Sequence, residues 1–450
     1  MKGIPVAILS VHLGMQALVA GNWPNWRGPS YDGAAAPDEK GLPVKFSASE
    51  GVAWSVDLPG AAASTPVVWG DSVFATCAVE SEEKLYAYCV DRKTGSVRWK
   101  REMGAGYRAD DRSNYASPSP VTDGKVVVFY FGTGELAAFD FSGRQVWRKN
   151  LQQVYGRFAT QWTYSSSPML ADGRLVIQVL QRNVAFEFNG QQKGEKDKPN
   201  DSYVVALEPA TGKELWKVIR PSGANAESLE AFSTPVPAVH NGRAELLVTG
   251  GDCITGHDPA SGRELWRWES WNPEKISHWR LVPSAVAGEG IALACAPKRE
   301  PVYAFKMGAN GPQKEEVIAW TTADDERRDV SSDVSTPLYY QGRFYVLNSD
   351  RKSLACVEPK SGRVLWNERL EAQEVRLQKF ESSPTAADGK IYMIDHRGTV
   401  VVAAAGDKFR LLAVNPMGGN QDQFVRSSIA ISGGCLFIRT SGRLFCVGKS

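Results

Sequence analysis

The chain has 450 residues, of which 52 are basic and 50 acidic, and it contains 42 glycines, 25 prolines and 14 tryptophans. A net charge of only +2 excludes the strong positive field that binding to nucleic acid or an anionic membrane requires, so neither partner is expected. Long amphipathic helical patterns are missing, and the many Gly and Pro residues predict an all-β protein of short strands joined by turns.

The N-terminus differs in composition from the rest of the chain. Lys2 precedes an apolar run from Ile4 to Ala20, and a small residue, Gly21, follows it. A basic start, a short apolar core and small residues predict a secretory signal peptide over residues 1–21. The run is marginal for a membrane span, and an uncleaved anchor is the alternative. The mature protein is expected to be periplasmic or secreted, with no stable membrane span after cleavage.

A Thr/Ser-Gly-x-x-x-Trp pattern recurs along the remainder of the chain. One copy is Thr211-Gly212 followed by Trp216, and an acidic residue, Glu208, precedes it. Gly accepts the positive φ of a tight turn, and the Ser, Thr or acidic side chain can hydrogen-bond the local backbone. Including looser copies, the anchors stand at positions 54, 99, 147, 216, 266, 320, 366 and 412. A period of about 45–50 residues is typical of a propeller or similar array.

Each repeat unit opens with a strand that usually starts with Ser/Thr-Pro, and four strands per unit are predicted. The units begin near residues 64, 117, 165, 233, 281, 334, 382 and 427. The third unit carries a polar insertion, residues 181–202, which is expected to be a mobile surface loop or a partner contact. The last unit has three strands, and Val52 to Leu58 supplies the missing fourth-strand pattern. We predict a single eight-bladed β-propeller over residues 51–450, closed by the N-terminal strand, with residues 22–50 as a lead packed on it.

The stretch from Ala206 to Trp216 resembles the tryptophan-docking motif of the pyrroloquinoline-quinone (PQQ) repeat, Ala-x-Asp-x-x-x-Gly-x-x-x-Trp. The resemblance covers roughly residues 50–450, and the lead from Trp23 to Pro29 is similar to that of exported bacterial PQQ-like propellers. In that family the motif docks one blade on the next and binds no ligand. The resemblance assigns this docking role to Trp54, Trp99, Trp147, Trp216, Trp266, Trp320 and Trp366.

The resemblance implies one of two functional classes. Quinoprotein dehydrogenases hold PQQ and Ca²⁺ over the propeller axis, whereas the barrel-assembly propeller lipoprotein of the outer membrane only binds other proteins. This chain has no adjacent cysteine pair, no Cys-x-x-Cys-His haem motif and no cysteine before Cys77 to carry a lipid. We predict a non-catalytic scaffold for an unknown envelope protein or small ligand, with no cofactor. A PQQ- and Ca²⁺-dependent oxidoreductase is the alternative, and a polysaccharide-binding module is third.

Familiar catalytic and metal-binding patterns are missing from the sequence. It contains no His-Glu-x-x-His, no Gly-x-Ser-x-Gly and no Gly-rich phosphate loop. The acidic stretch from Asp324 to Asp329 lacks the alternating ligands and the Gly of a calcium loop. The sequence therefore predicts no catalytic or metal-ligating residue.

The loops that join the outer strand of one unit to the inner strand of the next are the candidate binding surface. They are expected on one face around the central opening, and they combine aromatic residues with Arg and Asp, as interface hot spots and small-ligand funnels both do. Mutual neutralisation of these charges around a wet channel is the alternative. The candidate residues are Arg108, Tyr115, Trp162, Tyr164, Trp279, Arg280, Asp333, Lys379 and Arg426.

Four of the seven cysteines are placed for disulfides. Cys77 and Cys89 flank one turn, Cys435 and Cys446 flank another, and export would permit both bridges. Free buried cysteine is the alternative for each pair. The other three have core-like surroundings and no metal-ligand spacing: Cys253, Cys295 and Cys356.

Overall fold

The computed structural model describes residues 21–60, 63–107, 110, 112–269, 271–324, 326–373, 375–418 and 424–449. The signal peptide predicted for residues 1–21 lies outside these residues except for Gly21, and the candidate Arg108 lies outside them too. The described residues form eight four-stranded antiparallel blades, which confirms the predicted all-β propeller. Among them, no helix has the length and apolar character to cross a lipid bilayer.

The strands of each blade are named A to D from the axis outwards. Blade 1 consists of Val67–Trp69, Ser72–Val79, Lys84–Asp91 and Val97–Ala105, and blade 2 of Val121–Thr122, Val127–Tyr130, Glu135–Phe139 and Gln145–Asn150. Blade 3 consists of Met169–Ala171, Arg174–Val179, Tyr203–Leu207 and Glu214–Ile219, and blade 4 of Val236–His240, Arg243–Gly250, Cys253–His257 and Glu264–Trp268. Blade 5 consists of Val286–Gly288, Ile291–Cys295, Val302–Lys306 and Ile318–Thr321, and blade 6 of Leu338–Tyr340, Arg343–Asn348, Ser353–Val357 and Val364–Arg369. Blade 7 consists of Thr385–Ala387, Lys390–Ile394, Thr399–Ala404 and Leu411–Pro416, and blade 8 of Ala430–Ser432, Cys435–Thr440, Arg443–Gly448 and Val52–Asp57.

The N-terminal strand closes the ring. Val52–Asp57 pairs antiparallel with Arg443–Gly448, and Trp54 stands opposite Cys446. This pairing joins the two ends of the domain and gives Arg443–Gly448 a partner on both sides. The prediction that blade 8 takes its outer strand from the N-terminal end of the domain is confirmed.

A few short elements stand outside the blades. Gly311–Pro312 runs parallel to strand D of blade 4 and gives that sheet a fifth strand. The insertion in blade 3 forms a hairpin from Phe186–Phe188 and Gln191–Lys193. The helix Leu151–Tyr155 is short, and the 3₁₀ helices are Glu80–Glu82, Ala226–Leu229, Pro297–Arg299 and Glu315–Val317.

The C–D turns are fixed by the acidic residue that precedes them. In blade 1, Asp91 Oδ1 accepts the backbone N–H groups of Lys93 and Thr94, both at 2.9 Å. Gly95 then adopts φ +75°, a left-handed conformation that costs other residues free energy. The recurring acidic-x-x-Thr/Ser-Gly sequence is therefore a self-contained turn.

The motif tryptophans contact the C–D turn of the next blade. Trp147 Nε1 donates to the carbonyl oxygen of Pro209 at 2.8 Å, and its ring covers Gly212, where an added Cβ would lie 2.7 Å from the indole. Equivalent bonds to a backbone carbonyl are made by Trp54, Trp99, Trp216, Trp320 and Trp366. Trp266 differs because it donates to Glu245 Oε2 at 2.5 Å, in the blade whose outer strand is covered by Gly311–Pro312.

A belt of hydrogen bonds joins the blades around the axis. The backbone N–H of the Ser or Thr that opens one strand A donates to the hydroxyl of its counterpart in the next blade, as in Thr234 to Ser284 at 2.8 Å and Ser284 to Thr336 at 2.9 Å. We call these residues the Ser/Thr belt. They are Thr65, Ser119, Ser167, Thr234, Ser284, Thr336, Ser383 and Ser428. The repeated Ser/Thr therefore satisfies buried backbone donors between blades.

The lead crosses the face that carries the A–B turns and closes the channel from that side. Trp23 forms an antiparallel bridge with Val68 in blade 1, and Ala34 forms a parallel bridge with Ala386 in blade 7. These bridges supply partners to the inner edges of two A strands, which would otherwise be open.

Arg27 fastens the middle of the lead to the axis. Its side chain is fully buried and donates to the carbonyl oxygens of Pro337 and Pro384, both at 2.8 Å, and of Asp32 at 3.0 Å. Burial lowers the pKa of Arg27 to about 10, still far above neutral pH. The cation is thus held by backbone dipoles of blades 6 and 7.

Of the two interpretations left open for Cys77 and Cys89, the structure has free buried cysteines and no disulfide. Cys77 pairs with Tyr86 and Cys89 pairs with Phe74 in the same hairpin. Phe74, the partner of Cys89, is three positions from Cys77 along the strand. Because side chains alternate between the two faces along a strand, the two cysteines project from opposite faces of the blade. Both are free and buried.

Cys435 and Cys446 do share a face of blade 8. Cys435 pairs with Gly448 and Cys446 with Phe437, so the two stand diagonally across neighbouring strands. A hydrogen bond joins their thiols and lowers the pKa of Cys435. Both are free thiols in this structure.

Candidate functional site

A cavity of about 230 Å³ opens at the axis on the face formed by the D–A loops, and we call it the channel mouth. Its floor contains the hydroxyls of the Ser/Thr belt and Trp26, which reaches it from the lead on the other face. The charged and aromatic lining residues of the rim are Arg112, Trp162, Arg280, Asp333, Lys379, Glu381 and Arg426. Among these described residues the cations outnumber the carboxylates, but carboxylates just outside the lining pair with two of them, Glu227 with Arg280 and Asp350 with Lys379.

An arginine–tryptophan cluster occupies one side of the channel mouth. The guanidinium groups of Arg112 and Arg280 lie 5.3 and 5.5 Å from the centroid of the Trp162 ring. Glu227 Oε1 accepts Trp162 Nε1–H at 2.9 Å and Arg280 Nη1–H at 2.9 Å. Cation–π contacts and a shared carboxylate therefore hold the three side chains in one arrangement.

The blade 3 insertion packs against this cluster. Phe188 contacts the Trp162 ring edge-on, with centroids 5.4 Å apart, and Arg182 lies 4.0 Å from the ring centroid of Phe186. The residues that we predicted as a surface loop or partner contact thus include a hairpin that packs against Trp162 at the mouth. Its turn is Asn189-Gly190, both with positive φ, and Asn-Gly is a strong hairpin signal in a sequence.

Glu230 is a buried carboxylate behind the cluster. It is fully buried, with Arg182 Nε 2.6 Å from Oε1 and the backbone N–H of Gln161 donating to Oε2 at 2.9 Å. Burial raises the pKa of Glu230 to about 7, and Arg182 only partly opposes this. Glu230 therefore fixes the Gln161–Trp162 segment in place.

A second charged cluster lies across the axis. Arg426 Nε donates to Glu381 Oε2 at 2.7 Å, His396 Nε2 lies 3.0 Å from the same oxygen, and Lys379 Nζ is 3.4 Å from Oε1. Burial disfavours the Glu381 carboxylate, but His396 and Arg426 hold its pKa well below its usual range. Phe424 stacks on the His396 ring with centroids 4.5 Å apart and is 46% exposed, so an exposed aromatic ring lies beside this cluster.

The structure places the predicted site residues in two groups. Those that line the mouth are Trp162, Arg280, Asp333, Lys379 and Arg426. Tyr164 is instead buried, with its hydroxyl donating to the carbonyl of Gln178, and Tyr115 packs beside Gly106 and Gly132. Trp279 is half-buried outside the lining, and its backbone N–H donates to Ser228. Sequence reasoning missed Arg112, Glu227, Glu381 and Trp26.

The donor set at the mouth does not fit PQQ with Ca²⁺. Calcium takes about six to eight oxygen ligands, largely carboxylates and carbonyls. The carboxylates among the described lining residues are Asp333, which accepts the backbone N–H of Lys298 at 2.9 Å, and Glu381, which is held by Arg426. Across the described residues, no three His, Cys, Asp or Glu side chains converge as a metal site.

Three solved structures share the fold. BamB from Moraxella catarrhalis is 12% identical, with a TM-score of 0.57 over 89% of this chain and 97% of that one. Quinohemoprotein alcohol dehydrogenase from Comamonas testosteroni is 12% identical, with a TM-score of 0.64 over 96% and 81%. A europium-containing methanol dehydrogenase is 10% identical, with a TM-score of 0.62 over 91% and 87%. At these identities the likeness establishes the fold alone.

The sequence itself identifies the family. No curated protein matches the chain significantly. The family described as outer membrane protein assembly factor BamB, a PQQ-like propeller family, matches residues 33–197 and 200–450. These two matches cover nearly all of the propeller and part of the lead. The chain therefore belongs to the PQQ-like family described as outer membrane protein assembly factor BamB.

Proposed function

We propose that the chain is an exported, non-catalytic scaffold that binds a partner protein of the cell envelope through the channel mouth. The observation that carries this proposal is the arginine–tryptophan cluster of Arg112, Trp162 and Arg280. Trp and Arg are the residues most enriched at interface hot spots, where a few side chains supply most of the binding free energy. Phe424 adds an exposed aromatic ring on the other side of the axis.

The rim charges are largely paired within the protein. Glu227 holds Trp162 and Arg280, and Glu381 holds Arg426. Such pairing fixes the side chains before a partner arrives, so less rotamer entropy is lost on binding. It also leaves these carboxylates poorly suited to proton transfer or metal binding, which favours a scaffold over the PQQ-dependent oxidoreductase.

The family supports an envelope location. Its description names an assembly factor of outer membrane proteins, and the predicted signal peptide would export the chain to the same compartment. A protein partner in that compartment is therefore the occupant that agrees with both the family and the hot-spot composition of the mouth.

Site-specific photocrosslinking in living cells tests the proposal. A photoreactive amino acid at position 424 should crosslink one defined envelope protein, and the Trp162→Ala change should reduce that product by about tenfold or more. The matched control is position 146 on strand D of blade 2, where Val146 is 39% exposed on the outer rim. Equal products from both positions, or no effect of Trp162→Ala, would refute the proposal. Calorimetric binding of PQQ with Ca²⁺, followed by dye-linked turnover, would establish the alternative.

A further inference from the structure

A second cavity lies on the opposite face, between the lead and blades 1 to 6. Its volume is about 570 Å³, and we call it the lead cavity. The lead hydrogen-bonds blades 1, 2, 3, 6, 7 and 8. Within the described residues, no hydrogen bond joins it to blades 4 or 5. The cavity is the gap that this path leaves over the A strands of those two blades.

The walls of the lead cavity are mainly apolar and aromatic. Tyr31 from the lead is fixed because its hydroxyl donates to the Leu170 carbonyl at 3.0 Å and accepts the Leu170 N–H at 2.8 Å. Trp69 and Tyr339 supply further rings, and Val239, 59% exposed, lies at the rim. A concave apolar site of several hundred Å³ is the size that small organic ligands occupy.

The charges that line the lead cavity are all negative. The carboxylates are Asp32, Asp123, Asp172, Glu245 and Glu289, and no Lys, Arg or His is present among the described lining residues. Three of them have a cation outside the lining: Asp172 pairs with Arg174 at 2.5 Å, Glu245 with Arg243 at 3.9 Å and Glu289 with Lys360 at 4.0 Å. Asp32 belongs to the lead. Burial raises the pKa of its carboxyl group to about 6, although the Ala34 N–H and Arg27 act to lower it. At neutral pH this desolvated carboxylate favours a cation beside it.

Asn22 provides an independent indication of a ligand. The residue lines the lead cavity and is only 8% exposed. Its Oδ1 accepts the backbone N–H of Gly70 at 2.9 Å, whereas its buried Nδ2 has no hydrogen-bond partner in the described part of the chain. A buried donor without a partner is costly, so an occupant that offers an oxygen acceptor would relieve it.

We propose that the lead cavity binds a small organic ammonium ion that has an apolar body and an oxygen acceptor. The carboxylates and the faces of Tyr31, Trp69 and Tyr339 attract the cation, the aliphatic walls bury the body, and Asn22 Nδ2–H donates to the oxygen. This site is separate from the channel mouth, so the proposal does not depend on the scaffold function.

Three probes with the same body separate charge from burial. They are 2-phenoxyethylammonium, neutral 2-phenoxyethanol and anionic phenoxyacetate, each titrated calorimetrically into the mature protein at pH 7.5. The ammonium ion should bind at least about tenfold more tightly than the alcohol, and phenoxyacetate should not bind. Equal affinities for all three probes, or no binding of the ammonium ion, would overturn the proposal.

Three variants locate the binding. Asp32→Asn retains the acceptor for the Ala34 N–H and should weaken the ammonium ion about tenfold while changing the alcohol less than about twofold. Val239→Lys places a cation at an exposed rim position and should have the same selective effect without disturbing the core. Asp57→Asn, a change of a carboxylate with a 77% exposed side chain on the outer strand of blade 8, is the control and should bind normally. Unchanged ammonium affinity in both Asp32→Asn and Val239→Lys would exclude the site.

Discussion

Replacing Thr336 by Val should weaken the contact between blades 5 and 6. Thr336 is 2% exposed, and its hydroxyl accepts the backbone N–H of Ser284 at 2.9 Å. Valine keeps the shape but leaves that buried N–H without a partner, which costs about 1–3 kcal/mol of unfolding free energy. Thr336→Ser keeps the acceptor and loses one methyl group, which costs about 0.8 kcal/mol.

Urea unfolding followed by tryptophan fluorescence measures both variants. The midpoint should fall further for Thr336→Val than for Thr336→Ser, with the same slope. Hydrogen exchange read by mass spectrometry on a peptide spanning residues 281–290 should show a faster amide only in the valine variant. If both variants have the same urea midpoint and the same amide exchange rates, the Thr336 hydroxyl contributes nothing to stability and the prediction is refuted.

Three further predictions concern single residues. Gly212→Ala should destabilise the protein more than Gly173→Ala. Both glycines have a φ near +70°, but only at Gly212 would an added Cβ press into an indole ring. The melting temperatures of the two variants test this. Burial lowers the pKa of His257 to about 4, below the roughly 6.5 of the unfolded chain. Stability should therefore fall as pH drops from about 6.5 to 4, by about 1–2 kcal/mol at pH 5, and urea unfolding of His257→Gln should lack that component. Mild oxidation should join Cys435 to Cys446 in a peptide map, since their thiols are in contact.

The parts of the fold that could be predicted from the sequence are those that neighbouring residues fix and that recur along the chain. The turn of Asp91 to Gly95 is fixed by its own side chains, so its pattern recurs in most units, and its spacing indicates the blade count. The pairing of Val52–Asp57 with the C-terminal strand followed from a count of strands per unit. Each of these inferences needs only neighbouring residues and periodicity.

The parts that sequence could not predict depend on contacts between distant segments. Arg27 reaches carbonyls of blades 6 and 7, and nothing beside it in the sequence marks those partners. The bridge considered between Cys77 and Cys89 does not form because the short 3₁₀ turn at Glu80–Glu82 shifts the centre of the hairpin. The two side chains consequently project from opposite faces of the blade.

The same limit applies to the candidate site. Arg112 and Arg280 come from different D–A loops and meet only on Trp162, and Tyr164, two residues further on, points into the core. The direction in which successive side chains point cannot be predicted along an irregular loop as it can along a strand. The alternative of mutual neutralisation is partly seen in the pairing of Glu381 with Arg426, although the Arg–Trp cluster remains at the rim.

Ring closure by the N-terminal strand imposes an order on folding. Val52 pairs with Val447, so the strand Val52–Asp57 has no partner strand until nearly the whole chain has been synthesised. The ring stays open until then. Contacts of such large sequence separation form late and slowly. During that interval the unpaired strand Val52–Asp57 can pair with other chains. The protein should therefore depend on chaperones most strongly at the final step of its own folding.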